Sequence, residues 1–178
     1  MFVVKFIFVV QTLIQKKMIQ FKIVPLSKEY ASKIRATMVD EFGNEVVSQT
    51  ATGFGPCRVS LKPFQPRVDT RLLLSHKPFC IDNAFAQSGP IFINKKEVEP
   101  YADINRFPPE IKVDKQNFPL TLIGYDQRQN MIFTRLVGED DVDVLISEIF
   151  QKNEEIAYLH ARNAEAGCFI CKIERVKA

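Results

Sequence analysis

I-A-Y-L-H-A-R-N-A-E-A-G-C-F-I-C-K-I-E-R, residues 156–175, is the stretch on which the reading of this chain turns. Two runs of strand-forming residues flank Asn163-Ala164-Glu165-Ala166-Gly167, a polar turn closed by glycine, so the segment reads as a β-hairpin. Side chains on a strand alternate between faces. Parity then puts Ala157, Leu159 and Ala161 on one face and Tyr158, His160 and Arg162 on the other. If Arg162 stands opposite Cys168, the simplest register, Phe169, Cys171 and Ile173 join the apolar face. Cys168, Ile170 and Lys172 join the polar one. A slip of one residue exchanges these roles.

The hairpin also gathers the candidate chemistry. Cys171, on the apolar face, reads as a buried thiol behaving as a small hydrophobe. Cys168 falls beside Arg162 and diagonal to His160, and thiols beside cations are the reactive ones. Cys168 as nucleophile with His160 as base is therefore one reading, with Asn163 or Asp126 available to orient the imidazole. The competing reading is a half-exposed sheet face that His160 and Tyr158 merely cover. Tyr158, Arg162 and Asn163, joined by Cys57 and Arg58, form a candidate binding surface for a small anionic ligand or a protein partner, because a guanidinium fork matches a carboxylate. A third reading is a structural zinc held by Cys57, Cys168, Cys171 and a histidine. Strand geometry places Cys168 and Cys171 roughly 10 Å apart on opposite faces, which opposes it. No metal and no cofactor are expected.

Outside the hairpin the signals for chemistry are weaker. His76 ends an apolar strand before Lys77-Pro78 and reads as structural. Gly53-Phe54-Gly55-Pro56 has no following Lys-Ser/Thr to complete a phosphate loop. G-x-S-x-G is absent around Ser60. Asp140 and Asp141 suit the first turn of a helix, where the macrodipole favours acids.

Working toward the N-terminus, Leu120–Tyr125 and the run 131–137 read as a second hairpin around Asp126-Gln127-Arg128-Gln129-Asn130. Val142, Leu145, Ile146, Ile149 and Phe150 recur at helical spacing, as do Tyr30, Ile34, Met38 and Phe42. Ser27 reads as the N-cap of that earlier helix, spanning 28–42, and Gly43-Asn44 as its stop. Short strands are expected at 21–24, 57–61, 71–76 and 91–93. Residues 97–118, proline-rich and aperiodic, read as a long surface loop able to cover the Tyr158/His160/Arg162/Cys168 face. The sum is a single α+β domain, mostly antiparallel sheet with two main helices.

Composition bounds the rest. At 178 residues, with 46% hydrophobic and 25% charged side chains, the chain suits one domain with a proper core. Fifteen phenylalanines and no tryptophan point to a phenylalanine-filled interior. The net charge of +3 comes entirely from Lys5, Lys16 and Lys17, in a leading segment that holds no acid. The rest is balanced, which leaves no electrostatic footprint for nucleic acid. Residues 1–17 are too short a run to span a membrane stably and lack a small-residue cleavage site. They are read as an extension outside the domain, from an over-extended reading frame with Met18 the true start, or else from a weak export signal or membrane anchor. The domain then occupies 18–178. Without a credible signal the four cysteines are expected to be reduced thiols in the cytoplasm.

Three separated blocks carry a resemblance. Gly55-Pro56-Cys57-Arg58-Val59-Ser60-Leu61, Ser88-Gly89-Pro90-Ile91-Phe92-Ile93 and Tyr158-Leu159-His160-Ala161-Arg162-Asn163-Ala164 through Gly167-Cys168-Phe169-Ile170-Cys171 are similar to the bacterial family catalogued as domain of unknown function 1203. The similarity runs from about residue 21 to residue 175. It implies a small bacterial protein with residues 1–17 outside the domain, and it supplies no activity and no functional residues. The expectation is an accessory or binding module for an anionic ligand or partner. The thiol-dependent enzyme and the zinc-stabilised domain stand as alternatives.

Overall fold

Runs of β-branched and aromatic residues, cut short by proline, glycine and polar turns, become strands. In the computed structural model, which describes residues 20–176, they form eight. The expectations for residues 1–17 and for a start at Met18 lie outside the described residues. One antiparallel sheet contains β1 (Phe21–Val24), β5 (Leu120–Tyr125), β6 (Met131–Leu136), β7 (Tyr158–Asn163) and β8 (Phe169–Arg175), in the order β1-β8-β7-β5-β6. A second contains β2 (Val47–Thr50), β3 (Thr70–His76) and β4 (Gly89–Asn94), with β3 in the middle. Helices α1 (Lys28–Thr37), α2 (Pro109–Val113) and α3 (Val142–Lys152) complete the described elements. The fold is α+β and mostly antiparallel sheet. No helix among the described residues is long and apolar enough to cross a membrane.

The large sheet packs one face on α2 and α3. Leu122, Leu159, Cys171 and Ile173 meet Ile111, Ile146, Ile149 and Phe150 in a single buried cluster. Each such side chain contributes roughly 1.5–3 kcal/mol on burial, so this face holds the domain together. Asp141 caps α3 by accepting from the amides of Asp143 and Val144; the helix starts at Val142, so Asp140 lies before the cap and Asp143 is the acid of the first turn. The small sheet has its own core, where Leu72, Leu74, Ile91 and Ile93 pack on Ala31 and Ile34 of α1.

Three local expectations are corrected. Helix α1 keeps Ser27 as its cap, accepting from the amide of Tyr30, but stops at Met38 in the left-handed region (φ 51°), before Gly43. Asp40 Oδ1 takes the amides of Phe42 and Asn44, which stabilises a turn where the apolar stripe promised another helical turn. Residues 57–61 form a turn, not a strand. The Leu61 amide donates to the Cys57 carbonyl at 2.8 Å, and the flanking Pro56 and Pro63 have no N–H to give to a ladder.

The third correction concerns residues 97–118. They are no surface loop over His160. Phe107, Ile111 and Phe118 sink into the core on the α3 side of the large sheet, the opposite face. The Ile23 amide donates to the Ile104 carbonyl at 2.7 Å, so this segment also covers the free edge of β1.

Candidate functional site

The register of the terminal hairpin differs from the simplest one by a bulge. Ala161 pairs with Cys171, but the next residue, Arg162, pairs with Phe169, leaving Ile170 as an extra residue on β8. The bulge exchanges the expected faces of two neighbours. Ile170 enters the core shared with α3, whereas Phe169 turns to the His160 face and joins the core of the small sheet. Cys171 stays on the apolar face as expected, fully buried, and burial pushes its thiol up to about 12. Cys168 lies just outside the strand, half-buried, its Sγ 3.7 Å from the Ala166 carbonyl.

His160 is not on a half-exposed face. It is completely buried, and ring centroids of Tyr125, Phe169, Phe79 and Tyr158 stand 4.7, 4.9, 5.1 and 5.1 Å from its own. No hydrogen-bonding group reaches either ring nitrogen. Burial, reinforced by Arg162, Lys172 and His76, holds its pKa well below the ordinary imidazole value, so the ring is neutral. A base must reach the proton it takes, and His160 makes no hydrogen bond to Cys168. The cover over this face is the segment following β3. Phe79 packs on Tyr125 and His160, the Cys80 amide donates to Gln129 Oε1, and Asn83 Nδ2 reaches the carbonyls of Arg128 and Gln129.

The other expected residues separate into neighbours of the hairpin and outsiders. Arg58 is a neighbour. Its backbone amide donates to the Phe92 carbonyl, its Nε to the Phe169 carbonyl at 2.6 Å and its Nη1 to Pro56 O. Arg58 is 3% exposed, and its guanidinium has no carboxylate partner among the described residues. Burial draws its pKa down to about 10, opposed by the thiols of Cys168, Cys57 and Cys171. Cys57 is buried too, but its Sγ accepts the Asn94 amide and borders a separate, wider cavity of about 660 Å³. Tyr158 is buried under Lys172, whose Nζ lies 4.6 Å from the ring centroid. Asn163 shapes the turn, its Oδ1 accepting the amides of Glu165 and Ala166. No group of three or more His, Cys, Asp or Glu among the described residues is placed to hold a metal ion.

Two adjoining cavities open beside the bulge. One, about 220 Å³, is lined by His76, Pro90, Arg162, Cys168 and Phe169 among others. The second, about 310 Å³, lies between Phe85 and Ile123, Tyr125 and Met131. Gln87, Arg162 and Gly167 belong to both, and no acid lines either. Arg162 Nη1 donates to the Gly167 carbonyl at 3.0 Å, while its buried Nε has no partner.

His76, taken from the sequence as structural, is the histidine that shares a cavity with Cys168. Its Nδ1 lies 2.9 Å from Glu41 Oε1, which also accepts the Lys77 amide at 2.9 Å. The network assigns the proton to Nδ1 and leaves Nε2 as the acceptor. Sequence reasoning missed the pair because Glu41 lies 35 residues away.

The three blocks that carry the sequence resemblance thus converge. Arg58 from the first braces Phe169 in the third, and Ser88-Gly89-Pro90 from the second line a cavity with Arg162 and Cys168. Searches of curated proteins and of solved structures find no match for the chain. A family model does match, over residues 54–175, a narrower span than the resemblance that starts near residue 21. The chain belongs to the family described as a protein of unknown function, DUF1203.

Proposed function

We propose that this domain is a small binding module that takes an anionic, carboxylate-bearing ligand on Arg162, in the paired cavities beside the β8 bulge. The observation that carries the reading is Arg162 itself. Arg162 borders both cavities and neither contains an acid to neutralise it; its side chain engages the Gly167 carbonyl and the Tyr125 side chain, while its buried Nε has no partner. A half-exposed guanidinium with one buried N–H left over is a donor that a carboxylate can satisfy. Phe85, Ile123, Tyr125 and Met131 supply apolar walls for the remainder of a small organic anion. The Phe79-bearing segment, fastened to the Asp126–Asn130 turn by Cys80 and Asn83, closes one side.

The test is a thermal-shift screen of small organic anions, followed by calorimetric titration of any hit into the wild-type protein and Arg162→Gln. A ligand present at a hundredfold excess over Kd stabilises by roughly 2.7 kcal/mol, a shift of roughly 5–10 °C for a chain of this size. The expected result is an anion whose shift disappears in Arg162→Gln. An anion bound equally well by both proteins would remove the reading.

A further inference from the structure

Four observations around Cys168 are not used by anion binding alone. The thiol borders an open cavity, so a small molecule reaches it. His76 borders the same cavity, and with Nδ1 engaged by Glu41 its Nε2 is the ring nitrogen that can accept a proton. Burial holds His76 below the usual imidazole range against the pull of Glu41, so the ring is neutral near pH 7. Behind the bulge lies Arg58, an enclosed cation with no carboxylate partner among the described residues, its Nε on the carbonyl of Phe169, the residue next to Cys168. Negative charge gathered on the Cys168 sulfur during a reaction therefore falls one residue from the carbonyl that this cation holds.

We propose that Cys168 is a thiol-exchange site for small carboxylate-bearing disulfides, with His76 as its base and Arg162 as the anchor of the carboxylate; the anchoring part rests on the anion-binding reading above. His76 Nε2 takes the thiol proton, directly or through one water. The Cys168 sulfur bonds to one sulfur of the disulfide and the S–S bond breaks. Cys168 is oxidised to a mixed disulfide, the departing sulfur is reduced to a thiolate, and His76 returns the proton to it. A disulfide asks only for a nucleophile, a base and room for the leaving thiol, which this cavity supplies.

The experiment uses three disulfides of similar size: dithiodipropionate (anionic), bis(2-hydroxyethyl) disulfide (neutral) and cystamine (cationic). Mixed-disulfide formation on the full chain is followed by mass spectrometry, with exposed Cys80 as the internal reference. Cys168 is expected to react at least about tenfold faster than Cys80 with the neutral reagent, and His76→Gln to remove most of that advantage. Arg162→Gln is expected to slow dithiodipropionate about tenfold more than it slows the neutral reagent, so the readout is the ratio of the two rates. Glu41 and the opposing Arg58 are the charges that bear on His76. Glu41→Gln therefore moves the pH at which exchange accelerates downward, a displacement that loosened packing does not produce. Cys168 reacting no faster than Cys80 with the neutral reagent, in protein with wild-type circular dichroism, overturns the thiol site. A fast Cys168 with no preference for dithiodipropionate overturns the anchoring by Arg162, and the binding reading with it, while the exchange site stands.

Discussion

Phe169, not Cys168, stands opposite Arg162. That one-residue displacement decides what the terminal hairpin presents. It drives a phenylalanine ring against His160 and His76 and pushes the thiol to the lip of a cavity. It also exposes the Phe169 carbonyl to Arg58, so that a buried cation and a backbone bulge hold each other in place.

His160 sets a pH dependence of stability. Its imidazole is neutral in the fold and gains a proton in the unfolded chain below about pH 6.5. The unfolded state then binds more protons than the native state, so stability present above that pH is lost as pH falls below it. The loss amounts to at most about 1.4 kcal/mol for the first unit. His76, also depressed, acts in the same direction. Denaturant unfolding at pH 7.5 and 5.5 should show a smaller difference for His160→Phe than for wild type. An unchanged difference would mean that His160 is protonated in the fold.

Arg58→Lys keeps the buried charge and removes the fork. A lysine cannot serve the Phe169 and Pro56 carbonyls from the same position with the same planar geometry. A loss of about 2–3 kcal/mol is expected in equilibrium unfolding, from charge-assisted bonds broken inside the protein. A neutral result would show that Arg58 is dispensable to the bulge.

Gly124 is a packing requirement. A Cβ there would stand 2.9 Å from Ile156 Cδ1 and 2.9 Å from Phe133 Cβ, and the latter is tied directly to the backbone of β6. Gly124→Ala is expected to destabilise the domain by about 1–3 kcal/mol, measured as a lower denaturation midpoint at unchanged slope.

The antiparallel hairpins were legible because alternation and turn chemistry agreed, as at Leu120–Tyr125 around Asp126–Asn130. Helix α3 was legible because its apolar spacing and its acidic start agreed. The bulge was not, since nothing in Cys168-Phe169-Ile170-Cys171 distinguishes a regular strand from one with an extra residue. The choice is made by Arg58, over a hundred positions away, and by the two separate cores that claim Phe169 and Ile170. Residues 57–61 were misread for a related reason. Their side chains are nearly all buried, and burial without alternation resembles an inner strand. In the site, Arg162 and Cys168 were visible as residue types near a turn. The Glu41–His76 pair was hidden because it depends on how α1's turn meets the end of β3, a contact no local pattern encodes.

The aromatic enclosure of His160 has an optical consequence. The chain contains no tryptophan and four tyrosines, so its ultraviolet emission comes from tyrosine alone. Three of those four rings touch a histidine: Tyr30 lies against His76, and Tyr125 and Tyr158, stacked 5.3 Å apart, lie against His160. The protein therefore carries its own lamp at the place where the hairpin meets its cover, and a shift of that segment can be watched without attaching a dye.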